Sequence, residues 1–232
     1  MADPPKGRGM SVRVRAGAGK SVASRRWLER QLNDPYVAAA KARGFRSRAA
    51  FKLLELDEKC GLLKPGLRVV DLGAAPGGWT QVAVKAVGPK GQVVALDILP
   101  MDPVPGATVL QADFTEAPAE DAVRAALHGM ADVVLSDMAP NTTGHGATDH
   151  LRIMALAEMA IESASAMLAP GGAFVCKLFQ GGADKALLDR LKRDFARVRH
   201  VKPPASRKDS SEVYVVAQGF RGRAGQSDIR SG

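Results

Sequence analysis

The pattern that most constrains this chain is an alternation of short apolar runs with longer stretches of helical spacing. LRVVDLG (67–73), QVVALDI (92–98), ATVLQAD (107–113), ADVVLSD (131–137) and GAFVCKLF (172–179) read as strands. Their near-continuous Val and Leu content suits strands buried on both faces of a mainly parallel sheet. Helical patterns fall at about 78–87, 117–129, 151–168 and 183–195. RVRHVKP (197–203) and EVYVVAQGF (212–220) add two strands joined by a Pro/Ser/Lys-rich loop, which predicts an antiparallel pair at the end of the sheet. Upstream, a helical pattern begins at Asp34-Pro35. RSRAAFKLLELDEKCGLL (46–63) then places Ala49, Phe51, Leu53, Leu54 and Leu56 near helical spacing, until Gly61 and Pro65-Gly66 end it. The expected fold is a single doubly wound α/β domain over 26–220, with helices on both faces of the sheet and the last strand antiparallel. A basic flexible arm (1–25) precedes it and a basic tail (221–232) follows.

Charge is distributed in blocks. Residues 1–52 carry 13 Lys and Arg against 3 Asp and Glu, residues 53–184 carry 8 against 16, and residues 185–232 carry 12 against 5. An acidic middle between basic ends is the footprint of a protein that meets a polyanion, because clustered cations gain affinity for phosphates by releasing counterions. Aromatic residues make up only 5% of the chain, so backbone contacts are expected over base stacking. No window approaches the ~18 consecutive apolar residues of a membrane span. The basic N-terminus is not followed by an apolar core, so it does not read as a secretory signal, and a cytoplasmic protein is expected. Cys60 and Cys176 form no C-x-x-C pair, and His128, His145, His150 and His200 lack ligand spacing, so no metal is expected. No interface-like apolar stripe stands out, and a monomer is the default.

The most specific segment is VVDLGAAPGGWTQ (69–81), where an apolar strand ends in an acid and Pro76-Gly77-Gly78 opens a helix. Glycines at such a turn permit positive φ and let a ligand approach the backbone. The segment does not supply the G-x-G-x-x-G of a dinucleotide site. Asp97 closes the next strand, where an acid can accept from a ribose diol, and Asp113 closes the third, where it can meet an adenine amino group. Three successive strand ends carrying Asp71, Asp97 and Asp113 point to a nucleoside pocket at the carboxyl edge of the sheet. Asp137, in SDMAPN, projects into the same crevice. Lys177 interrupts the apolar AFVCKLF, and Glu212 starts the last strand. An isolated ion pair accounts for either of these two taken alone.

These segments resemble the FtsJ/RrmJ family of ribose methyltransferases. RSRAAFKL (46–53), DLGAAPGGWTQV (71–82), ALDILPMDPV (95–104), QADF (111–114), SDMAPNTTG (136–144), KLFQG (177–181) and SSEVYVVA (210–217) are similar to that family's blocks, in order, over roughly residues 25–220. The bacterial members that act on a large-subunit rRNA uridine are the nearest likeness in length and in their basic N-terminal extension. The resemblance implies a Rossmann-like fold, S-adenosyl-L-methionine as methyl donor, and a catalytic tetrad on Lys52, Asp137, Lys177 and Glu212. It implies donor contacts at Gly77, Trp79, Asp97, Asp113 and Asp137. The implied partner is large-subunit rRNA, in an assembled or late-assembling particle. Lys177 either takes the 2′-hydroxyl proton as a base or stays charged and steadies the developing oxyanion. From the charge blocks, Arg25, Arg26, Lys41, Arg43, Arg46 and Arg48, with Arg207 and Lys208, are the expected RNA surface. Competing readings are a cap-type or tRNA 2′-O-methyltransferase, and a non-catalytic RNA-binding protein on the same fold. The low aromatic content offers little for a cap pocket, and the intact tetrad and glycine turn weigh against lost activity.

Overall fold

The computed structural model describes residues 13, 28–29, 31–139, 146–179 and 185–222. Seven strands form one sheet: β1 (Arg68–Leu72), β2 (Gln92–Asp97), β3 (Thr108–Gln111), β4 (Ala131–Ser136), β5 (Leu168–Phe179), β6 (Phe195–Val201) and β7 (Glu212–Phe220). They lie in the order β3-β2-β1-β4-β5-β7-β6. All neighbouring pairs from β3 to β5 are parallel, whereas β7 runs antiparallel to both β5 and β6. The helices are α1 (Pro35–Ala42), α2 (Ala49–Cys60), α3 (Gly78–Val87), α4 (Ala117–Leu127), α5 (Gly146–Met167) and α6 (Lys185–Asp194).

Successive strand residues point to opposite faces of a sheet, and both faces here are covered. Val69, Val133, Val175 and Val216 pack with Leu53 and Leu56 of α2 and Val82 of α3. Their neighbours Val70, Val134, Phe174 and Val215 pack with Val123 of α4, Ile161 of α5 and Leu191 of α6. The unbroken apolar runs in the sequence are the consequence: a strand between two helix layers has no solvent face. A third cluster joins Ala40 of α1, Phe51 of α2 and Ala205 of the β6–β7 loop.

The expected doubly wound sheet and its antiparallel last strand are both present. Some bounds differ. α5 begins at Gly146, ahead of the expected 151, with Asp149 in its first turn, where a carboxylate suits the positive end of the helix. β5 begins at Leu168, ahead of 172: Gly171 takes φ +85° and the β4–β5 register shifts at Ala131/Val133, so the Pro-Gly-Gly step is absorbed as an irregularity within the strand. β3 stops at Gln111, leaving Asp113 in the turn beyond it. The expected arm and tail lie outside the described residues except for Arg13, Arg221 and Gly222, and so do residues 140–145 and 180–184. Among the described residues, no helix is long and apolar enough to cross a membrane.

Candidate active site

Four side chains from four elements converge beyond the carboxyl end of the parallel strands. Lys52 comes from α2, Asp137 directly follows β4, Lys177 lies in β5 and Glu212 opens β7. Lys52 Nζ donates to Glu212 Oε2 at 2.9 Å and lies 2.9 Å from Oε1 and 3.7 Å from Asp137 Oδ2. Lys177 Nζ donates to Asp137 twice, to the backbone oxygen at 2.6 Å and to Oδ1 at 3.0 Å. Both lysines are 7% exposed. Two cations and two carboxylates alternate, so the buried cluster is close to neutral, which is what makes such burial tolerable.

Tyr214, which sequence reasoning missed, completes the cluster. Its hydroxyl accepts from Lys52 Nζ at 3.1 Å and donates to Asp137 Oδ1 at 2.5 Å. It stands two residues after Glu212 in β7, on the same face of the strand, so the period-2 geometry was the available signal. Opposite it in β5 is Lys177, which explains why both reach Asp137. Ser206 Oγ donates to Glu212 Oε1 at 2.6 Å and holds that carboxylate from the loop side.

The electrostatics follow from these contacts. Burial opposes charge on Asp137, but Lys177 and Lys52, with hydrogen bonds from Tyr214 and Lys177, outweigh it and hold the carboxyl below its usual range. Burial pushes the Tyr214 phenol well above its ordinary value, and Asp137 and Glu212 push it the same way, so it remains a donor. Asp71, buried in β1, is pushed up to about 7, chiefly by desolvation; the hydrogen bond from Thr80 opposes this, and the nearby Asp137 and Asp97 carboxylates add to it. Thr80 Oγ1 donates to Asp71 Oδ2 at 2.7 Å.

Beside the cluster is the glycine turn. Gly73 has φ +70° and Gly77 φ +103°, conformations that disfavour side chains. Gly77 caps α3 without any side-chain hydrogen bond of its own, and the Thr80 amide in the first turn is turned toward the buried Asp71 carboxylate. Asp97 accepts from Ala75 N at 2.9 Å and Leu99 N at 2.8 Å, so it ties this turn to the loop after β2. Asp113 Oδ1 accepts from the amide and the hydroxyl of Thr115, which hold its carboxyl below the usual range, and Oδ2 has no partner among the described residues. The indole of Trp79 is buried, donates to Ala49 O at 2.8 Å and packs against the Tyr214 ring at 5.6 Å. At the turn, therefore, Trp79 presents its backbone. A helix N-terminus behind a glycine turn, together with strand-end carboxylates, suits a nucleoside with an attached anionic or polar chain.

The candidate RNA residues divide. Lys41, Arg43 and Lys208 are exposed, with the Arg43 guanidinium 5.3 Å from the centre of the Phe51 ring. Arg48 is committed inward to Asp34 at 3.0 Å and to Ala205 O, and Arg207 reaches Asp34 at 3.3 Å. Arg46 donates to three backbone oxygens. Arg25 and Arg26 lie outside the described residues. Among the described residues, no group of His, Cys, Asp and Glu could hold a metal ion.

Comparison with known proteins gives the family of the chain. The family model described as FtsJ-like methyltransferase matches residues 45–220. A protein of Granulibacter bethesdensis named ribosomal RNA large subunit methyltransferase E is 62% identical over 219 residues, covering 94% of each chain. One of the same name from Acidiphilium cryptum is 63% identical over 211 residues, covering 91% of this chain and 93% of its own. A crystal structure of a protein from Plasmodium falciparum, described as a ribosomal RNA methyltransferase, superposes with a TM-score of 0.69 at 30% identity, over 77% of this chain and 100% of that one. With the family model matched over most of its length and relatives 62% and 63% identical, this chain belongs to the FtsJ-like methyltransferase family.

Proposed function

We propose that this protein transfers a methyl group from S-adenosyl-L-methionine to a ribose 2′-hydroxyl of large-subunit ribosomal RNA, at a uridine, in an assembled or late-assembling particle. The observation that carries this reading is the closed Lys52–Asp137–Lys177–Glu212 cluster beside the glycine turn that opens α3. The names of the bacterial relatives support the choice of RNA.

The donor fits the residues present. Gly77 and the first amides of α3, with Asp97, Asp113 and Asp137, would hold it, Trp79 contributing its backbone. When bound, S-adenosyl-L-methionine supplies an electrophilic methyl group carried on a sulfonium. The work left to this chain is to align the ribose oxygen and manage its proton. Lys52 donates to Glu212 and Tyr214, groups of the β7 strand, with Asp137 3.7 Å away, so it acts as a positioning group. Lys177 spends two of its hydrogen-bonding positions on Asp137 and keeps one with no partner among the described residues. That position is the one available to the 2′-oxygen, as a donor to the developing charge or as an acceptor of the hydroxyl proton. Asp137, held ionised, keeps Lys177 in place. The exposed Lys41, Arg43 and Lys208 supply phosphate contacts.

The test is transfer of labelled methyl from S-adenosyl-L-methionine to large ribosomal subunits taken from cells lacking this protein, with the modified nucleotide mapped. Label on a single 2′-O-methyluridine of the large-subunit rRNA is the expected result. Label on capped RNA or tRNA but not on subunits would replace the proposed acceptor.

A further inference from the structure

Arg46 lies in the chain leading into α2, in a segment counted above with the RNA surface, yet its guanidinium donates to the protein's own backbone. Its Nη1 donates to Pro76 O at 3.2 Å and to Asp102 O at 2.7 Å, and its Nη2 donates to Pro103 O at 2.6 Å. Pro76 belongs to the glycine turn after β1, and Asp102 and Pro103 to the loop after β2, so one guanidinium joins the two loops that flank Asp97. Its own backbone is fastened as well: Arg46 N donates to Gln81 Oε1 at 2.8 Å, and Gln81 Nε2 donates to Gly44 O at 3.0 Å.

The loop needs such a partner. Residues 98–107 form no helix or strand, and Pro100, Pro103 and Pro105 bring no N–H groups of their own. Carbonyls in a segment so poor in donors must be satisfied from elsewhere. The rigid fork of an arginine reaches several at once, which the single ammonium of a lysine does less well. The packing is close: a Cβ on Gly77 would come 3.0 Å from Arg46 Nη1, and 3.1 Å from both Met101 Sδ and Val104 Cγ2. The guanidinium therefore rests on the turn itself, and the glycine leaves room for it.

We propose that Arg46 is a positioning residue for the methyl donor, acting through the two loops that hold it, and that its charge is spent there and not on RNA phosphate. The proposal rests on the reading of this site as a donor pocket. A loop ordered before the donor arrives spares binding the cost of ordering it.

The experiment compares the full chain with Arg46→Lys and Arg46→Gln. S-adenosylhomocysteine affinity is read by calorimetry, RNA affinity against salt concentration, and amide hydrogen exchange over residues 98–107 with and without S-adenosylhomocysteine. Both variants should bind S-adenosylhomocysteine about tenfold more weakly, the scale of a lost charge-assisted hydrogen bond. KM for the donor should rise with kcat little changed. Exchange over the loop should be faster without ligand and recover when ligand saturates the protein. RNA affinity and its salt slope should match the parent in both variants. Unchanged ligand affinity and loop exchange overturn the proposal, as does an RNA salt slope that falls by about one in Arg46→Gln while ligand binding holds. If the parent protein itself fails to bind S-adenosylhomocysteine, the donor-pocket reading falls, and the proposal falls with it.

Discussion

The Tyr214 hydroxyl donates to Asp137 Oδ1 while accepting from Lys52, and so couples the two halves of the charged cluster. Removing it alone should be informative. In Tyr214→Phe the ring keeps its contact with Trp79, but Asp137 loses a donor and Lys52 an acceptor. Stability should fall by about 1–3 kcal/mol, with kcat reduced and donor affinity retained. Urea unfolding and steady-state kinetics on RNA check this; unchanged kcat would make the hydroxyl purely structural.

Lys177→Met keeps the bulk of the side chain and removes its charge. Asp137 then loses two hydrogen bonds and a counter-ion, a change worth about 3–5 kcal/mol for a buried pair. Single-turnover transfer should be abolished while calorimetry still detects bound S-adenosylhomocysteine. Full turnover would remove Lys177 from the chemistry.

Asp71 carries a stability signature of its own. Its carboxyl moves from an ordinary 3.8 up to about 7 on folding, so between these values the folded protein binds more protons than the unfolded chain. Its contribution to stability is therefore greatest at acid pH and is lost as pH rises toward about 7. Asp71→Asn keeps an acceptor for Thr80 and removes the titration. Relative to the parent, the variant should lose less stability between about pH 4 and pH 7, read as unfolding free energy by urea titration at several pH values. Parallel profiles for the two proteins would contradict it.

Gly73→Ala should distort the site. A Cβ there falls 2.1 Å from Met138 Cγ, and φ is +70°, so Met138, the neighbour of Asp137, must move. A cost of about 1–3 kcal/mol is expected, with weaker methyl transfer; a parent-like melting temperature and rate would show that the turn adapts.

Lys41, Arg43 and Lys208 are the exposed cations among the described residues of the expected RNA surface. Changing all three to Gln should weaken RNA binding at low salt and flatten the dependence of log affinity on log salt by about two to three. S-adenosylhomocysteine affinity should stay constant. An unchanged salt slope would move the RNA path elsewhere on the protein.

Much of this architecture was legible before any coordinates. Apolar runs such as RVVDL and ADVVLS read as buried strands because strands sandwiched between helix layers have no solvent-facing positions to interrupt them. The strand-end positions of Asp97 and Asp137 and the glycine turn were visible for the same reason: in this fold the carboxyl ends of the strands form the crevice. Element bounds were less legible. The strand expected over 172–179 begins at Leu168, and the structure carries it through the Pro-Gly-Gly step with a register shift.

The sequence by itself determined the fold class and the strand ends at which the acidic residues and the glycine turn fall, because each depends on local patterning or on a short motif with its own backbone requirement; the four charged residues were expected through a family resemblance. Only the tertiary structure decided who meets whom. Lys52 and Glu212 are 160 residues apart, yet share a hydrogen bond. Arg46, grouped by charge with the RNA surface, is held by the protein's own backbone because a proline-interrupted loop 56 residues away requires donors. Tyr214 joins the site because β7 inserts between β5 and β6 and sets it opposite Lys177. Charge and polarity are local properties of a residue, whereas its partner is set by how distant strands and loops stack.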